Sequence, residues 1–146
     1  MNKPSLSLLL FSLALSSAPS GATAGGFTVV VNASRPAALT RQQVADIFMK
    51  RATRWSDGTP VIPFDLSVVD PTRQDFSRAV IGQSPESVVF HWQQELATRY
   101  VKPPLVKAAA DVLSFVGSTP GGIGYVTEGT DLPEGVKPVT FVESAR

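Results

Sequence analysis

The 146-residue chain contains no cysteine and a single histidine. Without cysteine there is no disulfide, no thiol nucleophile and no thiolate metal site, so a packed core must supply the stability. One histidine, His91, cannot form an imidazole cluster. It sits in a helical pattern beside Trp92, where a surface or partly packed role accounts for it better than a general base. Nucleophile elbows, Walker loops and H-E-x-x-H patterns are also missing. Strong charge of one sign is absent too: 13 Lys+Arg face 12 Asp+Glu. That balance gives no general attraction to nucleic acid or to an anionic membrane. These absences argue against an enzyme, a metal protein, a cofactor protein and a nucleic-acid binder.

Only one long apolar run is present, "LSLLLFSLALSS" at 6–17. Lys3 precedes it and "ATA" at 22–24 follows, the arrangement of a cleavable export leader. The run is short for a membrane span, and no cysteine follows it to carry a lipid. The expectation is a signal peptide over residues 1–24 and one domain over residues 25–146, periplasmic or secreted, with no membrane insertion once the leader is removed. Loss of Lys3 brings the mature charge to zero. The remaining charge is uneven: Arg35, Arg41, Lys50, Arg51 and Arg54 cluster against Asp46, and the segment from Glu128 to Glu143 is acidic. Two solvated faces explain this, with an electrostatic docking surface as the alternative.

Along the domain, "FTVVVN" at 27–32 reads as a buried strand. "LTRQQVADIFMK" reads as a helix capped by Thr40, with Gln43 completing a capping box. A second strand is expected around Val61–Leu66, placed at an edge or irregular because of Pro60 and Pro63. Asp70 at a cap and Pro71 at the first position predict a helix to about Ile81, ended by Gly82. Ser84 and Pro85 open another helix, in which Val88, Trp92, Leu96 and Tyr100 mark one buried face. Val112, Phe115 and Val116 mark a short helix. "STPGGIGYV" then turns into a strand, where the glycines either line a ligand or pack closely, and "KPVTFV" at 137–142 is a last strand. About four strands separated by helices indicate an α/β domain with a small mixed sheet. Asp65 and Asp70 are close in sequence, but a solvated loop acid and a helix cap account for them better than a catalytic carboxylate pair.

Several of these stretches together fit one family. "LTRQQVADIFMKRATRWSDGTPVIP", "RQDFSRAVIG" and "VLSFVGSTPGGIGYV" resemble, in order and spacing, segments of phosphate ABC transporter substrate-binding proteins, which are periplasmic binding protein-like. The likeness runs from about Phe27 to Val126. It implies a PBP-like α/β lobe, a small mixed sheet flanked by helices. Full-length members hold the anion between two lobes, and this chain has room for one. Their phosphate loop reads R-x-D-x-S-G-T, and counting back from Phe76 its ligand positions fall on Leu66, Asp70, Pro71 and Thr72, of which only Thr72 is kept. Arg73 occupies the place of an arginine usual in short single-lobe relatives.

Two functional readings follow. In the first, the domain is an exported non-enzymatic recognition or accessory module, associating with a periplasmic or membrane protein or with itself. In the second, it binds phosphate or another small anion for ABC-type uptake, in a shallow site from Ser34, Arg35, Thr72 and Arg73, completed by dimerisation. The candidate ligand-contacting residues are therefore Ser34, Arg35, Asp70, Thr72 and Arg73. At the helix start itself, Pro71 removes one N–H and Asp70 fills others, so an inherited phosphate cradle is disfavoured there.

Overall fold

A computed structural model of the chain describes residues 26–145. The expected leader lies outside the described residues. Strand β1 (Phe27–Asn32) leads to a two-residue strand β2 (Ala38–Leu39) and helix α1 (Arg41–Phe48). Strand β3 (Ile62–Asp65) precedes helix α2 (Pro71–Phe76), which runs on as a π-helical turn, Ser77–Ile81. Helix α3 (Pro85–Arg99), strand β4 (Leu105–Val106), helix α4 (Ala109–Ser118) and strand β5 (Gly122–Thr127) follow. Strands β6 (Val136–Pro138) and β7 (Thr140–Phe141) are the last of the described elements.

The main sheet is mixed, in the order β4-β3-β5-β1-β6, while β2 and β7 pair in parallel as a separate ribbon. β1 is antiparallel to β5 and β6, and β3 is parallel to β4 and β5. Alternation along β5 separates two faces. A Cβ on Gly124 would lie 2.8 Å from Val112 Cγ1, so that face carries α4 at close range. The next residue, Tyr125, points the other way: its ring stacks on Phe76 of α2 at 3.9 Å and meets Phe48 of α1 edge-on. The core is thus α4 on one side and α1 with α2 on the other, with Val29, Val30 and Val31 buried between them.

The expected α/β architecture is present, with several differences. Among the described residues seven strands form where four were visible, because strands of two or three residues carry no periodicity. β3 is an interior strand, not an edge. Its Pro63 is tolerated because Ile62 donates to Gly121 O on the β5 side, so the position that lacks an N–H faces β4, which pairs only from Phe64 onward. The last strand divides, with Val139 donating to Val29 O and Thr140 to Ala37 O. The helix at 71–81 has its expected length, but its second half is π, both Gly82 and Gln83 donating to Ser77 O. Gly82 ends it at φ 77. The capping box of α1 and the Ser84 cap of α3 are as expected. The stripe on α3 is buried only at Val88 and Trp92; Leu96 is exposed and Tyr100 is 85% exposed, because a strict four-residue step drifts around the helix and the side turned to the body passes from Trp92 to Glu95.

Candidate functional site

The segment that joins β3 to α2 is held by its own chain at nearly every turn. Asp70 caps α2, accepting from the Thr72 N–H at 2.8 Å, and its own N–H donates to Ser67 O. Gln74 Nε2 donates to Val68 O at 3.0 Å. Arg73 reaches beneath the segment, donating from Nη1 to Leu66 O at 2.7 Å. The other terminal nitrogen of Arg73 lies 3.2 Å from Asp65 Oδ2. Arg73 Nε is buried and has no partner among the described residues.

Asp65 is not the solvated acid expected from the sequence. It is 6% exposed and Arg73 5% exposed, and Tyr125 donates its phenol proton to Asp65 Oδ1, which also accepts from the Leu66 N–H. Burial pushes the Asp65 carboxyl above the usual carboxylate range, opposed by the Arg73 charge and by the hydrogen bonds from Tyr125 and Leu66. Burial, and then the facing Asp65 carboxylate, push the Tyr125 phenol up in turn, so it remains a proton donor. An ion pair of this kind survives burial because each charge is matched and hydrogen-bonded. The sequence carried a signal for this group, since Asp65 and Tyr125 each interrupt an apolar strand, and an interior phenol requires a partner.

Thr72 is buried, with Thr72 Oγ1 2.8 Å from Thr127 Oγ1 at the end of β5. Beside it an open groove of about 560 Å³ is lined by Arg41, Arg78, Asp75 and Glu128 among others, two cations against two carboxylates.

Ser34 and Arg35 lie at the other end of β5. Ser34 Oγ donates to Asn32 Oδ1 at 2.7 Å and approaches Pro120 O, just ahead of β5. Arg35 pairs with Asp57 at 2.9 Å and lies over the Trp55 ring, whose Nε1 donates to Gly121 O. Six residues of strand, about 20 Å, separate this corner from Thr72. Asp70, Thr72 and Arg73 are therefore neighbours, and Ser34 and Arg35 are not among them. The glycines of "TPGGIGYV" pack closely: a Cβ on Gly121 would collide with Pro60 O, and one on Gly122 would press on Thr119 O and Val116.

Exposed apolar side chains gather near the held segment. Val69 is 79% exposed, Leu105 and Val106 of β4 are open to solvent, and β4 pairs with Phe64 and Asp65. Among the described residues, no group of three or more acidic or histidine side chains could hold a metal, and no helix is long and apolar enough to cross a membrane.

A family profile described as a PBP superfamily domain matches residues 21–145. The structure is similar to an ABC-type phosphate transport receptor from Vibrio cholerae, at 21% identity and a TM-score of 0.61, over 82% of this chain and 47% of that one. It is also similar to a protein from Clostridium perfringens assigned as a phosphate ABC transporter substrate-binding protein and solved with bound phosphate. There the identity is 18% and the TM-score 0.57, over 80% of this chain and 44% of that one. At these identities the likeness is one of fold, and this chain spans less than half the length of either. Comparison with curated proteins gives no match.

Proposed function

The chain belongs to the PBP superfamily domain family, and on that premise we propose that it is an exported, non-enzymatic, single-lobe solute-binding fold that works as a recognition or accessory module by docking a protein surface. The observation that carries this reading is the occupancy of the β3–α2 segment. Its Thr72 N–H is taken by Asp70, its Pro71 has no N–H, and the two terminal nitrogens of Arg73 go to Leu66 O and Asp65. A helix start offers anions its free N–H groups, and at the start of α2 the Thr72 N–H goes to Asp70 and Pro71 has none to offer. The apolar residues Val69, Leu105 and Val106 remain exposed beside that segment, as contact surfaces commonly are.

Crosslinking in the exporting cell, with purified protein run in parallel by sedimentation, tests the reading. The expected result is a specific adduct, to a partner or to a second copy, that Val69→Asp with Leu105→Asp abolishes. A species that is monomeric and uncrosslinked in both settings overturns it.

The second reading, capture of phosphate or another small anion for uptake, is favoured by the fold's likeness to phosphate receptors. With Ser34 and Arg35 about 20 Å from Thr72, it requires either a site at Asp70, Thr72 and Arg73 alone or one completed by a second copy. Calorimetry with phosphate, sulfate and organic acids separates the two readings, and a flat titration at millimolar ligand removes this one.

A further inference from the structure

Helix α3 carries a second stripe, which the domain leaves uncovered. Val88 and Trp92 bury one side of the helix against the body. At about 100° per residue, Val89, Gln93 and Leu96 fall on another line, and Tyr100 follows at the helix end. Phe90 and Ala97 stand further round, on the side opposite the body. The steps from Val89 to Gln93 to Leu96 to Tyr100 alternate four, three and four, the spacing of helices that pair along a seam. Phe90 is 59% exposed and Leu96 46%, and Gln93 and Ala97 are open to solvent as well. Tyr100 also holds left-handed backbone, φ 58. Glycine ends a helix there with least strain, so the chain keeps at the end of this stripe a large ring that the domain itself does not cover.

The stripe is complementary to itself when reversed. A second α3 run antiparallel about Gln93 sets Phe90 against the small Ala97 of the other copy and Val89 against its Leu96. Gln93 then meets its own counterpart, and each amide both donates and accepts. Charge selects the same arrangement. The first turn of α3 carries Glu86, the last turn carries Arg99, and Lys102 is exposed just beyond. Reversal brings these unlike charges together and opposes the two helix dipoles, whereas a parallel pair would set Glu86 on Glu86. With 13 Lys+Arg against 12 Asp+Glu, two copies do not repel each other as wholes. The polar side of α3, with Ser87, Gln94 and Thr98, lacks the lysines and arginines that hold a helix on a lipid surface.

We propose that the protein self-associates as a two-fold symmetric dimer through α3, the helices antiparallel and centred on Gln93, with Phe90 and Leu96 as the main apolar contacts. The 15-residue helix is about 22 Å long. That is a small contact beside those of permanent dimers, so the two copies separate on dilution. The dimer is independent of the docking function proposed above, since it uses neither the β3–α2 segment nor Val69, Leu105 and Val106.

Sedimentation equilibrium of the purified protein, taken from micromolar to millimolar concentration, should show a reversible monomer–dimer equilibrium. Phe90→Glu with Leu96→Glu changes exposed positions, so the thermal melt should persist while dimerisation weakens at least about tenfold. Val69→Asp with Leu105→Asp should leave the equilibrium unchanged. Because the chain has no cysteine, a single introduced thiol reports the geometry. A short bismaleimide should join Gln93→Cys to its copy and leave Gln94→Cys, on the polar side, unjoined. An equal mixture of Glu86→Cys and Tyr100→Cys chains should give more of the mixed adduct than of either self-adduct. A monomer throughout the range, a dimer that survives the two glutamates, or a Gln94→Cys adduct as strong as that of Gln93→Cys overturns the proposal. A dimer lost in Val69→Asp with Leu105→Asp belongs to the other surface and overturns it as well. Self-adducts in excess of the mixed one overturn the antiparallel order.

Discussion

Arg73 and Asp65 face each other at 3.2 Å with both side chains buried, and Tyr125 closes the group from the central strand. One ion pair thereby ties together β3, β5, α2 and the segment between β3 and α2. Breaking it leaves a charge buried without a partner. Arg73→Met or Asp65→Asn should each destabilise the fold by about 3–5 kcal/mol, whereas replacing both with apolar residues should recover much of that loss. Urea denaturation of the two single variants and the double variant measures it. A single variant within about 0.5 kcal/mol of wild type, the range of ordinary surface changes, would show that the pair is not closed in solution.

The start of α2 yields a second expectation, on ligand affinity. Asp70→Ser with Pro71→Gly restores an N–H and removes a carboxylate, and should raise phosphate affinity above that of the native chain. Isothermal titration with phosphate reads the change. Lower affinity in the double variant would make Asp70 a residue that orders the ligand. Asp70→Ala alone should cost about 1 kcal/mol of stability through loss of the cap.

Acid sensitivity should trace to the corner around Trp55. Hydrogen bonds from Thr59, the backbone N–H foremost, and the Arg35 guanidinium hold the Asp57 carboxyl at about 2. A carboxyl depressed in the folded state contributes stability above its unfolded value, and that contribution disappears as pH falls from about 4 toward 2. Asp57→Asn should flatten the stability curve in that window and leave the slope near neutrality unchanged. Thermal melts at closely spaced pH values provide the check. Asp65 works in the opposite sense: its raised carboxyl favours the fold at low pH, and the contribution is lost as pH rises from the unfolded value through the folded one.

Close packing at the glycine turn sets a fourth expectation. Gly124→Ala pushes a methyl against Val112 Cγ1 and Val116 Cγ2, at 2.8 and 3.2 Å. The neighbouring helix can shift slightly, so about 1–3 kcal/mol of destabilisation is expected. Gly121→Ala meets the Pro60 carbonyl, which is backbone and cannot turn aside, so its loss should be the larger of the two. Chemical denaturation of both variants ranks them, and the reverse order would contradict the packing described for this turn.

Helix boundaries were legible because capping is local chemistry: Thr40, Asp70 and Ser84 accept from the N–H groups expected of them. The sheet was less so. β2 and β4 are two residues long, and their pairing depends on strands far away in sequence. The candidate site was legible as a place but not as a network. Asp70 and Thr72 stand where the helix start puts them, yet the union of Asp65 with Arg73 and Tyr125 spans sixty residues of chain. The separation of Ser34 from Thr72 likewise follows from the direction of β5, which residue types alone do not encode. Leu96 and Tyr100 continue a strict four-residue step, which drifts around α3 away from the side that faces the body.

The pairing of β1 also carries a kinetic consequence. Val29, Val30 and Val31 are sealed between β5 and β6, whose residues come roughly a hundred positions later, so during synthesis this apolar strand waits for its neighbours. Contacts that close so late slow folding, and a waiting β-branched run is a seed for wrong pairing with other nascent chains. A cell that makes much of this protein must therefore keep "FTVVVN" from meeting another copy of itself until "GIGYVT" has arrived.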